Sequence, residues 1–174
     1  MLTKRIDTGF HPTILPRMKL DAFDRKILAL LQDDASLPLA EIAAQVGLSQ
    51  TPCWRRIQKL EASGIIRKRV ALLDRKQLGV GVTVFIAVKT NVHSLKWLEQ
   101  FHDAVRELPE IIDFYRMSGD IDYLLKAYIA DISAYDALYK KLISRIELSD
   151  VTSMFAMEEL KSTTAISLAS AGTS

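Results

Sequence analysis

Residues 39–66 read LAEIAAQVGLSQTPCWRRIQKLEASGII, and the punctuation of this stretch decides the first half of the fold. Leu39, Ile42, Ala43 and Val46 recur at helical spacing and Gly47 follows them, so the pattern predicts a short helix stopped by glycine. Ser49 then stands at the N-cap of a second run, with Pro52 in the first turn, where a missing N–H costs nothing. That run extends to about Ser63 and closes at Gly64. A short helix, a glycine turn and a longer helix opening on Ser and Thr is how a recognition helix is offered to a major groove.

At 100° per residue the longer helix has two chemically different sides. With Ile57 pointing inward, Cys53, Leu60, Glu61 and Gly64 fall within about 60° of it. Thr51, Arg55, Gln58 and Lys59 fall about 100° or more away, and Trp54 and Arg56 flank the boundary. The outer types suit DNA: Arg forks onto guanine, Gln onto adenine, and Lys meets phosphate. Ser49 and Thr51 lie beside the free N–H groups of the helix start, which suit phosphate, and Gln50 joins them in the first turn. The expected DNA-binding residues are therefore Ser49, Gln50, Thr51, Trp54, Arg55, Gln58 and Lys59, with Trp54 packing or touching the backbone rather than reading bases. A plain solvated helix face is the competing explanation.

Upstream, Asp21 is the expected N-cap of a first helix with an apolar stripe of Phe23, Ile27, Leu30 and Leu31, ended by Asp33, Asp34 and Pro38. Residues 1–17 show no apolar period and read as a flexible extension, so 18–66 make the helix-turn-helix domain. From Ile65 the period changes to two. Residues 67–79 read as an extended linker, in which Arg67, Lys68 and Arg69 are either a wing on the DNA backbone or the solvent face of a strand. Beyond it come a β-rich run (Gly81–Thr90) and a helix (Ser94–Leu108) presenting Leu95, Leu98, Phe101, Val105 and Leu108. Two strands (Ile111–Met117 and Tyr123–Ile129), a helix (Ser133–Ile146) and a last strand (Asp150–Leu160) complete the pattern. The expected fold class is α+β: an N-terminal winged helix-turn-helix, then a ferredoxin-like βαββαβ domain over 80–164 and a tail over 165–174.

Composition narrows the function. Of 174 residues, 49% are apolar and 25% charged, ordinary for a soluble globular chain and too apolar for disorder. No apolar run approaches the ~20 residues that cross a bilayer, and the N-terminus has no signal-peptide core, so a cytoplasmic protein without membrane partners is expected. The net charge of +2 conceals an asymmetry: residues 49–76 hold eight basic and two acidic side chains, residues 91–160 seven basic and thirteen acidic. Only one part of the chain is suited to a polyanion. The single cysteine, Cys53, excludes an intrachain disulfide; it projects inward and reads as packing, with thiol sensing the rival. His11, His93 and His102 are scattered, and no nucleophile elbow, Walker or dinucleotide-binding motif is present, so neither metal, cofactor nor catalysis is expected.

The segment LDAFDRKILALLQDDASLPLAEIAAQVGLSQTPCWRRIQKLEASGII resembles the DNA-binding half of the Lrp/AsnC family of feast/famine regulators. The likeness rests on the Leu-Asp-x-x-Asp-x-x-Ile-Leu opening, the Val-Gly-Leu-Ser turn and the Arg-Ile-x-x-Leu-Glu-x-x-Gly-Ile ending. It continues through VALLD, Leu78-Gly79, MSGDIDYLLK and FAMEELKSTT, covering nearly everything after Met18. TPCWRR and FAMEELKSTT look closest to the cysteine-responsive branch.

The turn Ser118–Tyr123 admits two readings: a structural Gly/Asp turn, or an acidic loop that takes the ammonium of an amino acid while backbone N–H groups take its carboxylate. The resemblance implies the second, with effector bound between subunits near this loop. Its Gly-x-x-Asp positions fall on Gly119 and Asp122, with Met117, Asp120, Tyr123 and Leu124 adjacent and Ser153 on the opposite wall. Asp122 is expected to shape the loop, and Asp120 or Asp122 to meet the amine. Two helices on one sheet face leave the other for a second subunit, so a homodimer or larger assembly is expected, with paired recognition helices for a two-fold site on double-stranded DNA. A ligand-responsive, sequence-specific transcriptional regulator is the leading expectation. The alternatives are a ferredoxin-like amino-acid enzyme with an accessory winged helix, or a ligand-independent architectural DNA-binding protein.

Overall fold

The computed structural model describes residues 19–169; the extension expected over 1–17 lies outside them, as does the end of the 165–174 tail. The chain divides into a helical unit, formed up to Val70 and again from Thr163, and a sheet unit from Ala71 to Ser162.

In the helical unit, α1 (Ala22–Asp33), α2 (Leu39–Val46) and α3 (Gln50–Ala62) surround a core of Leu20, Ile27, Leu28, Ile42, Ala43, Val46, Cys53, Ile57 and Leu60. Burying each of the larger aliphatic side chains contributes roughly 1.5–3 kcal/mol. A reciprocal capping box starts α1: the Asp24 N–H donates to Asp21 Oδ1 at 2.9 Å and the Asp21 N–H to Asp24 Oδ2 at 3.2 Å. The expected stripe of α1 needs correction. Leu28 is buried, whereas Phe23 faces outward beneath a guanidinium. Gly47 ends α2 at φ 77°, a left-handed conformation that places the Leu48 N–H on Ala43 O at 2.9 Å and turns the chain into α3. The tail returns to this unit: the Gln32 side chain pairs with the backbone of Ile166 in both directions (2.7 and 3.2 Å), and Leu168 packs against the helical core.

The stretch 65–81 contains no regular strand, so the Arg67–Arg69 cluster lies in exposed irregular chain. The sheet unit follows as β1 (Val82–Lys89), α4 (Leu95–Arg106), β2 (Ile111–Arg116), β3 (Tyr123–Ile129), α5 (Ile132–Ile143) and β4 (Asp150–Phe155). Strand order is β2-β3-β1-β4, with every neighbouring pair antiparallel, the βαββαβ arrangement expected from the sequence. Alternation sorts the strands into two faces. Val84, Ile86, Val88, Tyr123, Leu125, Ala127 and Ile129 pack under α4 and α5 with Phe101, Val105, Leu138 and Leu142. Thr83, Phe85, Ala87, Leu124, Lys126 and Tyr128 point the other way, with Met154 opposite Phe85. Two sequence expectations fail here. Leu95, at the first turn of α4, is exposed and Trp97 takes the inward place, its Nε1 donating to Glu147 O at 3.2 Å. The final strand ends at Phe155 rather than Leu160.

On the open face, Arg75 lies 4.7 Å over the Tyr128 ring, pairs with Glu159 at 2.8 Å and hydrogen-bonds Thr83. This draws the chain entering the sheet unit and the chain leaving it onto one strand pair.

Candidate nucleic-acid interface and effector site

The core positions Cys53, Ile57 and Leu60 turn one side of α3 inward, so the remaining angles set what it offers outward. Ser49, Gln50, Thr51, Trp54, Arg55, Gln58 and Lys59 are all exposed. Thr51, Arg55 and Lys59 form its outermost row. Ser49 occupies the N-cap in an extended conformation, but its hydroxyl makes no capping bond. Its carbonyl receives the Cys53 N–H at 3.2 Å.

Trp54 and Gln58 stand one turn apart on a flank of the helix. They line a cleft of about 250 Å³ with Leu37, Leu39, Ile42, Ile57 and Arg69. Gln58 Nε2 donates to Glu61 Oε2 at 3.0 Å, and Arg69 Nη2 donates to Glu61 Oε1 at 3.0 Å, so Gln58 is held along this flank rather than projecting straight outward.

In projection Arg56 sits at the boundary between the two sides of α3, where the helical period assigns it no role. In the structure it closes α3 against α1 through Asp21 and Asp24, both at 2.7 Å. The Asp24 N–H and the Arg56 guanidinium hold the Asp21 carboxyl below its ordinary range against the opposing effect of burial. Asp24 and then Asp21 raise Arg56 further. Cys53 is fully buried, and burial raises its thiol despite nearby Arg56. The paired acids in Leu-Asp-x-x-Asp, spaced i, i+3, were the only sequence signal for this contact.

The effector candidates do not share one surface. Met117, Gly119 and Asp120 lie exposed in the loop between β2 and β3, where Gly119 adopts φ 125°, a conformation that strains any residue with a Cβ. Asp122 closes the loop: its carbonyl accepts the Met117 N–H at 2.8 Å, its own N–H donates to Val88 O at 3.0 Å, and Oδ2 accepts the Thr90 N–H at 2.8 Å. Tyr123 is buried in an aromatic cluster with Trp97, Phe101 and Phe114, and burial pushes its hydroxyl pKa up. Leu124 faces the open side of the sheet opposite Ala87. Ser153 lies on the helix-covered side, opposite Ile86 and hydrogen-bonded to the Tyr135 hydroxyl. A cleft of about 510 Å³ in this unit lies elsewhere, between α4 and the end of α5, lined by Trp97, Asp103, Glu107, Arg145 and Glu147 among others. Among the described residues, no group of three or more His, Cys, Asp or Glu is placed to hold a metal ion, and no helix is long and apolar enough to cross a membrane.

Residues 20–61 match the AsnC-type helix-turn-helix domain, and residues 83–166 match the Lrp/AsnC ligand binding domain. The chain belongs to the Lrp/AsnC family. A glutamate uptake regulatory protein of Zymomonas mobilis is 55% identical over 150 residues, 86% of this chain and 92% of its own. The DNA-binding transcriptional activator DecR of Escherichia coli is 48% identical over 148 residues, 84% of this chain and 97% of its own. The crystal structure of an AsnC family transcriptional regulator from Agrobacterium tumefaciens superposes with a TM-score of 0.84 at 55% identity, covering 86% of this chain and 97% of that one. A transcriptional regulator from Neisseria meningitidis, solved as its L-Met complex, gives 0.83 at 35% identity, with 87% and 98% covered. This Lrp/AsnC protein is thus a DNA-binding transcriptional regulator, with its DNA-binding domain first and its ligand-binding domain second.

Proposed function

We propose that this regulator reads duplex DNA with α3 and is switched by a small amino acid bound between copies of its sheet unit. The observation that carries the reading is the division of α3: Cys53, Ile57 and Leu60 are buried while Thr51, Arg55 and Lys59 stand outermost, continuous with Ser49 and Gln50. Arg55 and Lys59 then meet bases or phosphates, Ser49 and Thr51 receive a phosphate at the helix start, and Trp54 lies along the sugar–phosphate backbone. Gln58 exchanges Glu61 for a base edge on binding.

A second copy covers the open sheet face, whose Phe85, Leu124, Tyr115 and Met154 form an apolar stripe; Tyr115 and Met154 are each about half exposed. Two-fold pairing sets the recognition helices for half-sites about 34 Å apart. Asp120 takes the effector ammonium, since the Asp122 carboxylate already receives the Thr90 N–H. Loop N–H groups near Gly119 take the effector carboxylate, Met117 and Leu124 face its side chain, and Tyr123 and Ser153 support the site from beneath. The effector acts only through unequal affinity for two arrangements of the dimer. The protein works in the cytoplasm, binds its amino acid without converting it, and needs no cofactor.

A thermal-shift screen of the twenty amino acids tests the sensor. Cysteine comes first because of the TPCWRR and FAMEELKSTT resemblance; glutamate and methionine follow because of the relatives named above. A gel shift on the upstream region of the adjacent gene, with and without the hit, tests the switch. No stabilising amino acid, together with binding that ignores sequence, would leave an architectural DNA-binding protein. Consumption of the hit would make the protein an enzyme.

A further inference from the structure

Of the three cations on α3, two face outward and one does not. Arg55 and Lys59 are exposed, whereas Arg56 Nη1 donates to Asp21 Oδ2 and Asp24 Oδ1, each at 2.7 Å, and its guanidinium lies 5.3 Å over the Phe23 ring. Its partners cannot swing freely. Each carboxylate also accepts the other residue's N–H in the capping box of α1, and Asp24 is buried. Arg56 is therefore tied to the rigid start of a different helix.

The core packing of α3 is apolar, its other ion pair, Glu61 with Arg69, reaches irregular chain rather than a helix, and apolar contact is non-directional. Cys53, Ile57 and Leu60 fix which side of the helix is inward, but a small roll about its axis changes their burial little. At a radius of about 6 Å, a 20° roll displaces a side chain by about 2 Å, enough to break a hydrogen bond to a base. An ion pair on the flank with hydrogen-bond geometry selects one roll.

We propose that Arg56 is a positioning residue for DNA recognition: its bridge to Asp21 and Asp24 sets the roll of α3 that aims Thr51, Arg55 and Lys59, while Arg56 itself touches no DNA. The proposal rests on the reading that α3 enters the groove. It makes the electrostatic footprint of the helix two cations rather than three.

The test uses the full-length protein and a fluorescein-labelled duplex selected by repeated binding from a random-sequence library, with a scrambled duplex as reference. Anisotropy titrations at four KCl concentrations give both the salt slope and the ratio of selected to scrambled affinity. Arg55→Gln should lower the slope of log K on log[KCl] by about 0.9, the loss of one phosphate contact. Arg56→Gln should keep the wild-type slope, bind the selected duplex about tenfold more weakly and bind the scrambled duplex within twofold of wild type. Asp21→Asn, which leaves the Asp24 half of the bridge, should lower the affinity ratio in the same direction by less, and the double variant should be no weaker than Arg56→Gln alone. Far-UV circular dichroism checks each fold, and Arg56→Met replaces Arg56→Gln should the latter not fold. A slope lowered by about 0.9 in Arg56→Gln would overturn the proposal, since Arg56 would then be a phosphate contact. So would tighter binding by Asp21→Asn, or an unchanged affinity ratio in Arg56→Gln. An unchanged slope in Arg55→Gln would instead remove the underlying reading of α3, and the proposal with it.

Discussion

Asp122 separates shaping a loop from holding a ligand, and the two roles have different magnitudes. Its Oδ2 is the acceptor for the Thr90 N–H at 2.8 Å, and Thr90 is 5% exposed. Asp122→Ala leaves that N–H without its carboxylate in a place water reaches poorly, a loss of about 2 kcal/mol for a bond to a charged acceptor. The unfolding constant of the sheet unit then rises about thirtyfold, and its midpoint falls by about 10 °C for a unit of this size. Asp122→Asn keeps an acceptor oxygen and loses only the charge, so its cost stays below about 1 kcal/mol. Asp120→Ala, at an exposed loop position, stays within about 0.5 kcal/mol of wild type. Urea titration in a Trp54→Phe background reads these values from Trp97, whose ring lies 5.7 Å from Tyr123. Calorimetric titration with the amino acid found by thermal shift reads binding, which Asp120→Ala should reduce most. Equal costs for Asp122→Ala and Asp122→Asn, or an Asp122→Ala protein as stable as wild type, would show that the Thr90 bond does not hold the loop.

At Gly47 an added Cβ meets open space, yet φ is +77°, so Gly47→Ala should destabilise the helical unit by about 1 kcal/mol through backbone strain alone. Gly47→Asn should lose less, as thermal denaturation would report. Cys53 is fully buried with its thiol pKa raised, so alkylation of the native protein by iodoacetamide, followed by mass spectrometry, should be slow and become fast in urea. The Asp21 carboxyl is held below its ordinary value near 3.8, so the stability it contributes is fully present above that pH and is lost as pH falls through the lowered value. An acid titration of helicity should show a gentler decline below about pH 4 for Asp21→Asn than for wild type.

The parts legible in sequence were those governed by period and punctuation. Gly47 and Gly64 bounded the helices, Asp21 capped α1, and projecting α3 at 100° per residue assigned Cys53 and Leu60 inward and Arg55 outward. Periodicity cannot weigh the ends of elements, where a helix projects past its support. Leu95 in the first turn of α4 is exposed, while Trp97, whose indole reaches the Glu147 carbonyl, fills the inward place. Nor does a stripe reveal that a residue such as Phe23 is shielded by a guanidinium instead of buried. The contacts that shape the candidate sites pair residues distant in sequence: Arg56 with Asp21, Asp122 with Thr90, Ser153 with Tyr135. No local pattern encodes such pairs, because they depend on strand register and on which helix faces which.

Gln32 and Ile166 are 134 residues apart, and their pairing gives the helical unit a history as well as a shape. The helices of the DNA-binding domain are synthesised before the ligand-binding domain, but the segment that docks on α1 emerges after most of it. The entropy of closing so long a loop grows only logarithmically with its length, so the docking is not prohibited, merely late. A nascent chain, or one cut before Ile166, lacks that docking however well α1, α2 and α3 have packed.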